Sequence, residues 1–390
     1  MNIHAKKAAR FLVLFLVVWM SAQSVKAQQS RITSNFNADW KFFKGDAKQG
    51  ESMSFDDTKW RDVNLPHDWS IEGPFNEKWA SATAYLPGGI GWYRKTFSLA
   101  KDMQNKYVAI YFDGVYKNSE VWINGHFLGK RPNGFISFEY DLTPYLHKTG
   151  KNTVAVRVDH SQFADSRWYT GSGINRNVSL IAVEPVHVQQ WGVAFSTPMV
   201  SKETVSALAK VSVQNQTSKW QEVTVKATLT DQKNNVVSSG QADIKISKNS
   251  VFNETIPLTV KLPELWSVDH PNLYQLTVKT YVAGKETDAY TDEVGIRSFY
   301  FDADKGFFLN GENLKLKGVC LHDDAGALGT AVPAEVWERR LEKLKEGGCN
   351  AIRMSHNPHA DYFYKLADKL GFLVMDEAFD EWETGKNKIP

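Results

Sequence analysis

Between Leu314 and Trp382, short apolar runs alternate with amphipathic segments, and few folds accept that alternation. The order is LKLKGVCL, a polar turn, a helical segment, NAIRM, a second helical segment and GFLVM. Strand-length apolar runs separated by helix-length segments make βαβ units and a parallel sheet. Leu314–Leu321 reads as the first strand. Pro333 to Glu346 reads as a helix with Pro333 near its first turn, Val336, Leu341 and Leu344 on its apolar side, and Gly347-Gly348 as its stop. Asn350–Met354 and Phe372–Met375 are the next strands, around a helix Tyr362–Leu370 closed by Gly371. Polar residues gather just past the C-terminal end of each strand: His322 and Asp323, then Ser355, His356 and Asn357, then Asp376, Glu377, Asp380 and Glu381. In a (β/α)₈ barrel the loops converge at that end and carry the chemistry.

Ahead of this segment the periodicity changes from helical to alternating. Tyr93–Phe97, Tyr107–Phe112, Ser119–Ile123, Ser137–Asp141 and Thr153–Val158 read as strands, and Asn124-Gly125 as a tight hairpin turn. Residues 28–185 are therefore expected to form a jelly-roll β-sandwich. Near Glu184 the composition shifts toward Val, Thr, Lys and Gln. Residues 186–298 hold the strands Ala207–Gln214, Gln221–Thr230, Gln241–Ile246, Val251–Val260 and Tyr274–Tyr281, a spacing that suits an immunoglobulin-like sandwich. Phe307 to Gly311 reads as a hairpin turn leading into a barrel domain, 299–390, of which about the first three strands are present. Residues 1–27 read as a secretory signal. Lys6, Lys7 and Arg10 are its basic region, Phe11–Met20 its apolar core, and cleavage is expected after Ala27. That core is too short to span a membrane. A secreted or periplasmic location follows, with no membrane contact after cleavage.

A formal net charge of +2 argues against nucleic acid as a partner. Cys320 and Cys349, two thiols at barrel strands, define no disulfide framework and read as small buried hydrophobes.

The segment NAIRMSHNPHADYFYKLADKLGFLVMDEA resembles the signature of glycoside hydrolase family 2, the family of β-galactosidases, β-glucuronidases and β-mannosidases. Met354 and Asn357 depart from it, standing where a small residue and Tyr are usual. The phrases LPHDW, GIGWYRKTF, FDGVYKNSEVWINGHFLG and SRWYTGSGINRNV resemble the family's N-terminal sugar-binding domain. Trp266, Pro271, Tyr274 and EVGIR at 293–297 resemble the end of its central β-domain.

The resemblance implies a retaining exo-glycosidase acting on an oligosaccharide or polysaccharide, most closely a β-galactosidase. β-Glucuronidase and β-mannosidase are alternatives, as is a non-catalytic carbohydrate-binding protein. Retention needs two carboxylic groups roughly 5–5.5 Å apart. Adjacent Asp376 and Glu377 are a poor pair, since neighbours on a strand end point to opposite faces. In the family the acid/base glutamate follows the fourth strand and the nucleophile the seventh. A barrel needs roughly 250 residues, so both glutamates are expected beyond Pro390, and the chain is expected to be the inactive N-terminal portion of a longer enzyme. What remains is a substrate shell. The resemblance assigns sugar contacts to His322 and His356 and an orienting role to Arg353. Asp165, Arg167, Trp168 and Tyr169 lie in a loop expected to reach the sugar pocket. Asp323, Glu377 and Trp382 complete the candidates. Glu381 is a candidate Mg²⁺ ligand; Glu383 stands where its histidine companion is expected.

Overall fold

The computed structural model describes residues 29–162 and 166–380. The expected signal segment and the candidates Asp165, Glu381 and Trp382 lie outside the described residues. Every described strand and helix belongs to one compact unit that begins at Arg31.

Alternating burial builds two antiparallel sheets at the N-terminal end. One has four strands, in the order Ile32–Asn35, Val178–Val183, Tyr107–Phe112 and Phe138–Asp141. The other has six, in the order Arg61–Val63, Trp40–Lys44, Gly89–Phe97, Asn152–His160, Ser119–Ile123 and His126–Arg131. Their inward faces interdigitate: Trp40, Tyr93, Val156 and Ile123 from the larger sheet meet Ile110, Phe112 and Leu180 from the smaller. Asn124 and Gly125 turn the last hairpin with φ of 51° and 82°, the primed-turn geometry that asparagine and glycine accept at small cost.

Seven strands follow, split three and four: Val186–Val200, Thr204–Asn215 and Ser250–Lys261 face Val236–Ile246, Gln221–Thr230, Leu273–Val282 and Lys285–Gly295. This is the immunoglobulin-like sandwich, its core made of small β-branched residues such as Val211, Val225 and Val278. Phe299–Asp302, Gly306–Leu309 and Glu312–Asn313 make a small antiparallel sheet. Its Asn310-Gly311 turn, again at positive φ, folds the chain back before the barrel begins. The run 314–321 is thus not one strand. Only Gly318–Leu321 (β1) joins the parallel sheet, with Ala351–Met354 (β2) and Leu373–Met375 (β3) beside it in that order.

The connecting helices are Ala334–Glu346 (α1), capped by Pro333, and Asp361–Leu370 (α2), closed by Gly371 at φ 75°. Trp337, Leu341, Phe363 and Ala367 pack from the helices onto Ile352 and Met354. Full burial of each large side chain contributes about 1.5–3 kcal/mol. The cysteines depart from expectation. Cys349 is half-buried and Cys320 exposed, because Leu321 takes the helix-packed face of β1 and its neighbour must take the other.

Polar connections lock the parts together. Arg31 pairs with Asp288, which is fully buried and also accepts from the Val188 N–H. Trp266 Nε1 donates to the Asp368 carbonyl at 2.8 Å, and Lys345 Nζ reaches the carbonyls of Val268 and Gly371. Asp113 accepts from the Asp361 N–H at the start of α2.

Burial pushes the Asp113 carboxyl up to about 7, against the opposing pull of Arg176, while the nearby Asp361 and Asp323 push it further up. Its neutral form is thus favoured in the folded state. The stability it supplies is complete below its unfolded pKa near ~4 and is lost as pH rises through about 7. His187 and His359, pushed down to about 4 by burial, act in the opposite sense as pH falls. Asp113→Asn is therefore expected to gain stability relative to wild type between pH 5 and pH 8, on the order of 1–3 kcal/mol. Urea titrations of both proteins at the two pH values measure it, and an unchanged difference contradicts it.

Candidate functional site

Because β1, β2 and β3 are adjacent and parallel, the residues just past their ends converge. Trp168, from the loop that precedes Val178–Val183, lies over them. Its ring stacks on His322 with centroids 5.7 Å apart and planes 19° apart, and meets His356 edge to face at 5.2 Å. The two imidazoles are 5.6 Å apart at 77°. The indole is half-buried, beside two rings able to donate or accept hydrogen bonds.

Glu377 ties the underside together. It accepts from Arg353 Nε at 2.6 Å and from His356 Nδ1 at 2.6 Å, and Arg353 Nη2 lies 2.5 Å from the same carboxylate. Nδ1 of His356 thus faces the carboxylate, and Nε2 is the ring nitrogen left for another partner. Arg353 Nη1 also donates to Cys320 Sγ, and that hydrogen bond lowers the thiol's pKa. Asp376 points the other way and accepts from Tyr364 on α2 at 2.7 Å. The two adjacent acids, just past the end of β3, thus face opposite sides.

Other candidates are held elsewhere. Arg167 donates to Asp380 at 3.2 Å. Tyr169 donates its hydroxyl to Asp68 Oδ2 at 2.6 Å, and burial raises its phenol pKa. Asp323, expected at the sugar, is a correction. It is 5 % exposed and forms a buried ion pair with Arg176 at 2.5 Å. Burying a carboxylate needs a countercharge, and the sandwich supplies it.

Sequence reasoning missed two residues that position this site. Asp68, 2 % exposed, accepts from the N–H groups of Ser70, Ser172 and Thr330 and from the hydroxyls of Tyr169 and Thr330. It ties the loop bearing Trp168 to the barrel segment after β1. Gly171, at φ 67°, packs so close that a Cβ there would collide with Thr330 Oγ1. Arg176, 3 % exposed, reaches the Asp323 carboxylate and the carbonyls of Phe135 and Pro358. Each carries a signal in sequence: a charge set among residues destined for the core, as in His67-Asp68-Trp69, must find a buried partner. Among the described residues no cluster of three His, Cys, Asp or Glu side chains could hold a metal ion, and no helix is long and apolar enough to cross a membrane.

Three family models match in sequence order. The glycosyl hydrolases family 2 sugar binding domain matches residues 33–184, the family 2 central model residues 186–297, and the family 2 TIM barrel domain residues 303–387. The chain belongs to glycosyl hydrolase family 2. Trp168, Asp68 and Arg176 fall in the first family 2 match, and His322, Arg353, His356 and Glu377 in the third, so the site is assembled across two modules.

A beta-galactosidase of Bacteroides ovatus is 49 % identical over 94 % of this family 2 chain, and a putative beta-glucuronidase of Formosa agariphila 39 % over 98 %. The crystal structure of a family 2 member from Bacteroides cellulosilyticus superposes with a TM-score of 0.87 at 36 % identity, over 91 % of this chain and 47 % of its own. A beta-glycosidase from Bacteroides vulgatus does so at 0.84 and 43 %, over 91 % of this chain and 45 % of its own. The chain spans 43 % of the length of the B. ovatus relative and 36 % of that of the F. agariphila relative.

Proposed function

We propose that these residues form the sugar-binding mouth of a glycosidase that removes terminal β-galactosyl residues with retention of configuration. In this reading Trp168 covers an apolar sugar face. His356, through Nε2, and His322 bond sugar hydroxyls, and Arg353 with Glu377 fixes their orientation. A pair of glutamates after later barrel strands, as the family resemblance implies, performs the displacement: one forms a glycosyl ester while the other protonates the leaving oxygen, then activates water.

One observation carries the choice of a neutral sugar. Among the described residues, both guanidinium groups near Trp168 are already paired, Arg353 with Glu377 and Arg167 with Asp380. A sugar carboxylate would have to compete for them. The identity to a named beta-galactosidase supports the same reading. The second reading, a β-glucuronidase, is favoured by the relatives that carry that name.

The test is to express the gene with whatever continues its reading frame. The product is then assayed on 4-nitrophenyl β-D-galactoside, β-D-glucuronide and β-D-mannoside. Galactoside turnover is expected to dominate, with the β-anomer of galactose appearing first by proton NMR. Faster glucuronide turnover would select the second reading. Binding of galactose without turnover of any glycoside would favour a non-catalytic carbohydrate-binding protein. The α-anomer first would exclude retention.

We also propose export, supported by the basic and apolar run before Ala27. Edman sequencing of the protein from the extracytoplasmic fraction is expected to begin at Gln28. A mature protein that keeps Met1 in the cytoplasm overturns this.

A further inference from the structure

On the outer side of α2, away from Trp168, a cleft of about 540 Å³ opens where both sandwiches and the barrel helix meet. Its volume falls within the range of small-ligand sites, roughly 300–1,000 Å³. What distinguishes it is Trp191. This residue holds φ at 55°, in the left-handed region that non-glycine residues avoid, and its indole is 59 % exposed. The conformation arises at a bulge. In the pairing of Val186–Val200 with Thr204–Asn215 the register jumps between Val188 and Val193. Gly192 fits beneath because a Cβ there would come within 2.6 Å of the Gln189 carbonyl oxygen. Bulges re-aim side chains. This one incurs backbone strain to send a large apolar ring into solvent, so packing does not explain it.

The surroundings of Trp191 are ordered. Tyr111 lies 6.0 Å from it at 59°, and its hydroxyl donates to Asp361 Oδ2 at 2.5 Å, fixing both the ring and an acceptor on the cleft wall. Tyr290 lines the opposite, immunoglobulin-like wall beneath the Arg31 guanidinium. An exposed indole flanked by oriented carboxylate and hydroxyl groups suits the C–H face and hydroxyl edge of a pyranose. The charge balance selects among sugars. Among the described lining residues, Asp292, Glu293, Asp361 and Asp368 face Arg31 and Lys365. Arg31 is already bound to Asp288, and Lys365 lies 3.5 Å from Asp292. Glu293 is paired with Lys369 at 3.1 Å and burial raises the Asp368 pKa, so an acidic sugar would meet the Asp361 carboxylate with no free cation among the described lining residues.

We infer that this cleft is a second, non-catalytic binding site for a neutral oligosaccharide chain, with Trp191 as its stacking platform. It shares no residue with the Trp168 site and does not depend on the catalytic reading.

The experiment labels the protein with 5-fluorotryptophan and assigns the Trp191 and Trp168 ¹⁹F resonances by Trp191→Phe and Trp168→Phe. β-1,4-Galactotetraose, cellotetraose and trigalacturonic acid are then titrated. At least one neutral tetraose is expected to shift the Trp191 resonance saturably, with trigalacturonic acid about tenfold weaker. Trp191→Ala is expected to weaken that binding about tenfold, read by the saturation transfer of the sugar protons, without lowering the melting temperature. The Trp168 resonance reports the barrel mouth separately, so the two sites can fail independently. A Trp191 resonance unmoved by either neutral sugar overturns the inference. So does one that moves only with protein concentration, which would make the cleft a contact between copies.

Discussion

Arg176→Ala is expected to lower stability by about 3–5 kcal/mol, the size of effect seen when one partner of a buried ion pair is removed. Arg176 and Asp323 are both nearly inaccessible, and the guanidinium also holds the carbonyls of Phe135 and Pro358. Alanine leaves the Asp323 carboxylate without its countercharge at the junction of sandwich and barrel, together with two carbonyls short of a donor. The double variant Arg176→Ala/Asp323→Ala removes the stranded charge and is expected to recover part of the loss. Arg176→Lys should fall between, because one ammonium cannot span the guanidinium's acceptors. Urea unfolding followed by tryptophan fluorescence measures all three. With Asp323→Ala as the second single variant, a double variant destabilised by the full sum of its single changes would show that the two charges do not act as a pair.

The second large effect is expected on turnover by the protein expressed from its complete reading frame. Glu377→Gln should reduce kcat/KM on a 4-nitrophenyl β-galactoside by about 100-fold, or about 2.7 kcal/mol. The amide keeps the shape of the carboxylate but loses the charge that holds Arg353 and His356. Its neighbour gives an internal control. Asp376 bonds Tyr364 on the helix side, so Asp376→Asn should change kcat/KM by less than about threefold. Equal losses from the two substitutions would mean that strand geometry does not separate their roles. Since the Glu377 substitution disturbs orientation and not the displacement itself, both KM and kcat are expected to change, and both variants should melt near wild type.

Much of this architecture was legible in the chain itself, because it is specified by neighbours. Alternation over Gln221–Thr230, the helical stripe of α1, and the Asn-Gly turns at 124–125 and 310–311 depend on local sterics and on which face can be dry. So does the divergence of Asp376 and Glu377. The motif at 350–377 located the barrel mouth, and His322, Arg353, His356 and Glu377 meet there. What the tertiary structure decided are pairings between residues more than a hundred positions apart. Trp168 covers His322, Asp68 holds Thr330, and Arg176 takes Asp323 away from the sugar face where it was expected. Trp191 looks like one more strand tryptophan until the bulge turns it outward. The physical reason is that a buried charge or an exposed ring acquires its meaning from desolvation. Local sequence sets what each segment can become, but only the closing of one module against another determines which polar groups lose their water and must find one another.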